Sequence, residues 1–122
     1  MKILLLTSDK DSLNVFSTAI AEDANADLLW AISGNEALNV IKNTKIQLVV
    51  ADEKLEDMTG LEFIKKLVMI NPFVNCMLLS PLSHDDFHEV SEGLGILMQL
   101  PLQPGEKDAS ALLQYLNKIC NN

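Results

Sequence analysis

The chain has 122 residues, 48% of them apolar, and a formal net charge of −8 from 17 acids and 9 bases. That length suits a single domain over residues 1–122, and the apolar content is too high for a disordered chain. The acidic balance, unbroken by any cluster of bases, argues against nucleic acid and anionic membrane surfaces as partners, and no apolar run is long enough to span a bilayer.

The opening run Lys2–Leu6 is too short for a signal peptide, has no small-residue cleavage site after it, and predicts a first strand. Asp11 or Ser12 then caps a helix through about Glu22, with Leu13, Phe16 and Ile20 on one face. A second strand is expected near Leu28–Ile32. Ser33-Gly34-Asn35-Glu36 is a capping-box pattern opening a helix that carries Leu38 and Ile41. The third strand is Gln47–Ala51, closed by Asp52. Thr59-Gly60-Leu61-Glu62 repeats the capping-box pattern and starts a helix with Leu61, Ile64, Leu67 and Val68 inward, stopped by Asn71-Pro72. Val74–Leu79 is the fourth strand. Ser83–Glu92 is the weakest helix, with Phe87 and Val90 as its inward residues, and Gly93 and Gly95 break the chain after it. Ile96–Leu100 is the fifth strand, ended by Pro101, and the last helix runs from about Asp108 to Ile119 on a seam of Leu112, Leu113, Leu116 and Ile119.

Alternating strands and helices imply a parallel sheet covered on both faces, with ligands beyond the carboxyl ends of the strands. The residues at those ends are Thr7-Ser8-Asp9, Asp52-Glu53-Lys54, Ser80-Pro81 and Pro101-Leu102. Asp52 is the focus: an apolar strand delivers its carboxylate to the mouth of the sheet. His84 and His88 share a helix face at a spacing that suits zinc, with Asp85 or Asp86 as an oxygen ligand, but a solvated face is the simpler reading. Met58, Met69, Met77 and Met98 read as core filler, and Gly93-x-Gly95 precedes a strand, unlike a phosphate-binding turn. Cys76 and Cys120 lack a CxxC spacing and fit a reducing, cytoplasmic setting, with Cys76 a buried thiol.

The chain resembles the receiver domain of two-component response regulators (the CheY-like family), as an atypical member, over almost its whole length. Five pieces carry the resemblance: Ile3-Leu4-Leu5-Leu6; Ser33-Gly34-Asn35-Glu36-Ala37-Leu38; Leu48 to Asp52 with Met58 and Gly60-Leu61-Glu62; Met77-Leu78-Leu79-Ser80; and Gly93 followed by Pro101. The resemblance implies an α/β, flavodoxin-like (βα)5 doubly wound parallel sheet with strand order 2-1-3-4-5. It also implies aspartyl phosphorylation, in which a carboxylate attacks phosphorus while magnesium and a lysine ammonium offset the anionic repulsion.

Mapped onto this chain, the resemblance makes Asp52 the phosphoacceptor and Ser80 the switching hydroxyl. The family's acidic pair falls on Thr7 and Ser8, its lysine on Leu100, its switching aromatic on Leu97, and its small residue after the hydroxyl on Pro81. Asp9, Asp52 and the backbone carbonyl of Lys54 are left as a poor Mg2+ site, and Lys54 or Lys10 as a stand-in cation. The family's cis bond before the last proline raises a cis Leu100–Pro101 bond as an option. The expected function is a non-enzymatic receiver with impaired or absent phosphorylation. It acts through contacts with a sensor histidine kinase, a downstream effector or a second copy, on the face of the fourth helix, fifth strand and fifth helix around Gly95 and Leu97. Two other readings stay open: a slow but genuine Mg2+-dependent aspartyl-phosphate receiver, and a small flavodoxin-like nucleotide-binding or enzyme domain. The ending at Asn121-Asn122 fits a domain boundary as well as a natural terminus, so a stand-alone receiver and a fragment of a longer regulator are both open.

Overall fold

The computed structural model describes residues 1–120, except the side chain of Cys120. Five strands, β1 (Lys2–Leu6), β2 (Asp27–Ala31), β3 (Leu48–Ala51), β4 (Asn75–Leu79) and β5 (Met98–Leu100), alternate with five helices, α1 (Asn14–Ala21), α2 (Gly34–Asn43), α3 (Gly60–Ile70), α4 (His84–Ser91) and α5 (Glu106–Cys120). All strand pairs are parallel and the order is β2-β1-β3-β4-β5, as the resemblance implies.

The sheet is buried from both sides because its strands are apolar at every step rather than at alternate ones. Ile3 and Leu5 of β1 meet Phe16 and Ile20 of α1 and Leu112 and Leu116 of α5, while Leu4 and Leu6 meet Phe63, Ile64 and Leu67 of α3. Truncating either fully buried phenylalanine, Phe16 or Phe63, removes about 3–5 kcal/mol of such packing.

Caps set the helix starts. Ser33 Oγ accepts from Glu36 N at 3.1 Å. Thr59 and Glu62 complete a reciprocal box at 3.1 and 3.4 Å. Ser83 Oγ accepts from Asp86 N at 3.2 Å.

Several elements differ from expectation, each for a local reason. Neither Asp11 nor Ser12 caps the first helix; a 3-10 turn over Lys10–Leu13 leads into it, and Ser12 Oγ donates to Asp9 O at 2.8 Å. α5 starts at Glu106 because Asp108 is the third helical residue, reaching back to accept from Gly105 N at 2.8 Å. β5 is shorter than Ile96–Leu100: Gly95, at φ +67°, is still turning the chain, and Leu97 reaches the sheet only through its N–H to Cys76 O at 2.9 Å. The buried stripe of α3 is Gly60, Phe63, Ile64 and Leu67, with Leu61 and Val68 at its margins. On α4 only Phe87 is buried, and Val90 points to solvent. Ile119 is also exposed. The Leu100–Pro101 bond is trans, the lower-energy isomer even before proline.

Candidate functional site

β3 ends at Ala51, and the backbone of Asp52 continues its pairing with β1 through Asp52 N to Leu6 O at 2.8 Å. The next turn is tight. Gly60 N donates to Glu53 O at 2.9 Å, Leu55 N to Met58 O at 2.9 Å, and Lys54 bridges Thr59. Gly60 is required here, because any Cβ at that position would overlap the carbonyl oxygen of Asp52. The start of α3 therefore lies directly on the backbone that aims the carboxylate.

Both oxygens of the Asp52 carboxylate are engaged. Oδ1 accepts from Glu53 N at 2.7 Å, and Oδ2 accepts from the Thr7 hydroxyl at 2.6 Å. Thr7 is fully buried, at 0% exposure. Its Oγ1 also accepts from Asp9 N at 3.0 Å and lies 3.2 Å from Asp9 O. A hydroxyl has one proton, and the shorter contact to a charged acceptor takes it. Thr7 thus closes the first loop on itself and ties it to β3.

An open cleft of ≈ 330 Å³ lies over this point, lined by Ser8, Asp9, Ser12, Asp52, Glu53 and Lys54 along with Leu102 and Gln103. Asp9 and Lys54 therefore share the cleft with Asp52, whereas Lys10 does not line it: its Nζ sits 4.5 Å from the centroid of the Trp30 ring. The donor set is poor for a hard cation. The position of one family carboxylate holds a neutral, buried hydroxyl already bonded to Asp52. Among the described residues no group of three or more His, Cys, Asp or Glu side chains is placed to hold a metal. The residues present do not make a magnesium site of the kind the family uses. His84 and His88 are both exposed on α4.

Ser80 is buried at the end of β4, with its N–H on Leu100 O at 2.9 Å and its Oγ accepting from Leu82 N at 3.2 Å. Leu100 is 1% exposed and packs among Met77, Leu79 and Leu112, so an apolar core contact stands at the position of the family's lysine. Leu97 is half-buried against the same cluster. Gln99, which the sequence reading did not single out, reaches from β5 to the β4–α4 loop: its Nε2 donates to Leu82 O at 2.7 Å and Ser80 O at 3.3 Å.

Asp57 was also missed. Its carboxylate accepts from Gly34 N at 2.7 Å and Asn35 N at 3.0 Å, clamping the β3–α3 loop to the N-terminus of α2. The Gly34 N–H above all, then the Asn35 N–H and the Lys66 ammonium, hold this carboxyl below its ordinary range. Cys76 is a free, buried thiol, and burial pushes its pKa up to about 12; the Cys120 side chain and Asn121-Asn122 lie outside the described residues.

Comparison with known proteins agrees with this architecture. The response regulator receiver domain family matches residues 3–100. Sporulation initiation phosphotransferase F of Bacillus subtilis is 21% identical over 94 residues, covering 77% of this chain and 76% of that protein. A Francisella response regulator receiver domain superposes with TM-score 0.84 at 23% identity, covering 98% of each chain. A two-component response regulator from Clostridium difficile superposes with TM-score 0.84 at 19% identity, covering 100% of this chain and 99% of that one. No helix of the described residues is long and apolar enough to cross a membrane. With the β2-β1-β3-β4-β5 order and an aspartate at the end of β3, the chain belongs to the response regulator receiver domain family of two-component signal transduction.

Proposed function

We propose that residues 1–122 form one atypical receiver domain in which phosphorylation of Asp52 is impaired or absent and signalling runs through protein contacts. The observation that carries this reading is the Thr7 hydroxyl, buried and bonded to Asp52 Oδ2 at 2.6 Å where the family has an acid. Attack on phosphorus needs a free carboxylate lone pair and positive charge to meet the incoming phosphoryl oxygens. Here each oxygen already accepts one hydrogen bond, from Thr7 and from Glu53 N, which leaves lone pairs but lowers their nucleophilicity and fixes the carboxylate's direction, and Leu100 supplies no cation. Loss of one preorganised charge-stabilising group lowers a rate by about 10²–10³. Lys54, exposed in the same cleft, is the cation left to offset part of that loss, and Asp9, Asp52 and the Lys54 carbonyl leave Mg2+ binding weak or absent.

The switch is muted for a related reason. Ser80 Oγ is buried and already accepts from Leu82 N, Leu97 stands where the family's aromatic swings, and the Gln99 amide staples the β4–α4 loop through Ser80 O and Leu82 O. The α4–β5–α5 face is therefore presented in one state to a histidine kinase, an effector or a second copy. The protein is non-enzymatic and cytoplasmic on this reading. The family membership supports it over a flavodoxin-like nucleotide-binding or enzyme domain.

A slow Mg2+-dependent receiver is the second reading. It is favoured by the half-buried Asp52 at the mouth of an open, acid-lined cleft and by the likeness to a protein named as a phosphotransferase. Treatment with phosphoramidate and Mg2+, followed by intact mass, separates the two. The parent is expected to stay unmodified while a Thr7→Asp, Ser8→Asp variant gains one phosphoryl group at Asp52. Equal labelling of parent and variant would overturn the first reading.

A further inference from the structure

The face built by α2 and α3 has features that the Asp52 site does not use. A groove of ≈ 630 Å³ runs between the two helices over Leu38, Ile41 and Ile70, with Lys42 on its edge. A smaller hollow of ≈ 140 Å³ continues it past Ile41 and Asn71 to Phe73, with Lys45 on its edge. Three large apolar side chains close together in sequence are strongly exposed, Met69 at 88%, Ile70 at 69% and Phe73 at 91%, and of these Ile70 lines the groove and Phe73 the hollow. Such side chains on a soluble surface mark contact sites when they are contiguous and rimmed by polar groups.

Charge is segregated in the same way. Residues 37–51 and 63–83 contain Lys42, Lys45, Lys65 and Lys66 and none of the 17 acids. All four lysines are exposed, and Lys66 lies close enough to Asp57 to act on its carboxyl. These stretches carry four positive charges in a chain of net charge −8; the acids of α2 and α3, Glu36 and Glu62, stand in the first turns of those helices and line neither the groove nor the hollow.

We propose that the α2–α3 groove binds an amphipathic helix of a partner protein, with apolar residues at i, i+3, i+4 and i+7 and acidic residues along the flanks. Apolar anchors fill the groove over Leu38, Ile41, Ile70 and Phe73, and the acids meet Lys42 and Lys45. A concave floor suits inserted side chains better than a lipid surface does, and the net charge of −8 opposes an anionic membrane. A second copy of this chain fits less well. Its acidic helix, α4, lies elsewhere on the fold, so the contact would join unlike surfaces and propagate rather than close. The proposal is independent of whether Asp52 is phosphorylated.

The test is an amide NMR titration of the full chain with a capped helical peptide bearing leucines at that spacing and glutamates on both flanks. A twin peptide carries lysines in place of the glutamates. Shifts at Leu38, Ile41, Ile70 and Phe73 with the acidic peptide alone are expected. Lys42→Glu with Lys45→Glu should weaken that binding roughly tenfold. Phe73→Ser should weaken it as well; the side chain is 91% exposed, so the fold is retained. No shift on this face at about 1 mM peptide, or equal binding of the two peptides, would overturn the proposal. Binding of phosphatidylglycerol vesicles through Phe73 in preference to the acidic peptide would overturn it in favour of a membrane. Sedimentation showing a dimer that Phe73→Ser abolishes would overturn it in favour of a second copy.

Discussion

Replacing Thr7 by valine keeps the volume of a fully buried side chain and deletes one hydroxyl, so it isolates the contact that distinguishes this site. A hydrogen bond to a charged group contributes about 1.5–3 kcal/mol, and the half-buried setting of Asp52 puts this one near the lower end. Asp9 N also loses its acceptor, but it lies in an exposed loop where water can replace the bond. The expected loss is about 2 kcal/mol in all. Unfolding entropy of about 2.1 cal/mol/K per residue converts that, for 122 residues, to a fall of roughly 8 °C in Tm. The assay is thermal unfolding at neutral pH of the parent, Thr7→Val, Asp52→Ala and the double variant. A coupling energy of about 1.5 kcal/mol is expected from this cycle. A coupling below about 0.5 kcal/mol would mean that Thr7 and Asp52 do not bond in solution, and the argument for a committed carboxylate would fail.

Three further outcomes follow from the same geometry. Gly60→Ala forces a Cβ against the Asp52 carbonyl and should destabilise by about 2–4 kcal/mol, with amide shifts spreading to Asp52 and Glu53 on NMR; an unchanged unfolding midpoint would contradict the close approach. Asp57→Asn should be less stable than the parent at neutral pH. Because the folded carboxyl titrates below its ordinary value of 3.8, its contribution is complete above that pH and is lost as pH falls further, so the two unfolding curves should converge in acid; a pH-independent difference would show that charge is not the cause. Cys76, with its pKa pushed up to about 12, should resist iodoacetamide at mildly alkaline pH until the protein unfolds, as read by peptide mass mapping; rapid native labelling would place the thiol outside the core.

Much of the fold was legible because its signals are local. The apolar runs of β1 and β3 are buried at nearly every position, and the serine and threonine before Glu36 and Glu62 cap the helices they announce. The misses have equally local causes. Asp108 reads as the approximate start of the last helix but is its third residue, and the weak apolar stripe of α4 gave no means of seeing that Phe87 is buried and Val90 is not. Much of the site is a tertiary matter. Asp52 and Ser80 could be placed at strand ends from their runs, but the Thr7 bond spans 45 residues, the Asp57 clamp 23 and the Gln99 staple 17. No spacing rule brings such pairs together; the parallel sheet does, by gathering strand ends along one edge.

The most direct test of the central claim is an amide NMR titration with Mg2+ and then with beryllofluoride, a mimic of the aspartyl phosphate. If Thr7 holds Asp52 and Leu100 leaves the pocket without its cation, the resonances of Asp52, Ser80 and Asp9 stay in place at millimolar Mg2+ and do not move when beryllofluoride is added. Saturable shifts centred on those residues, requiring both additions, would contradict the account and make this chain a working phosphoacceptor.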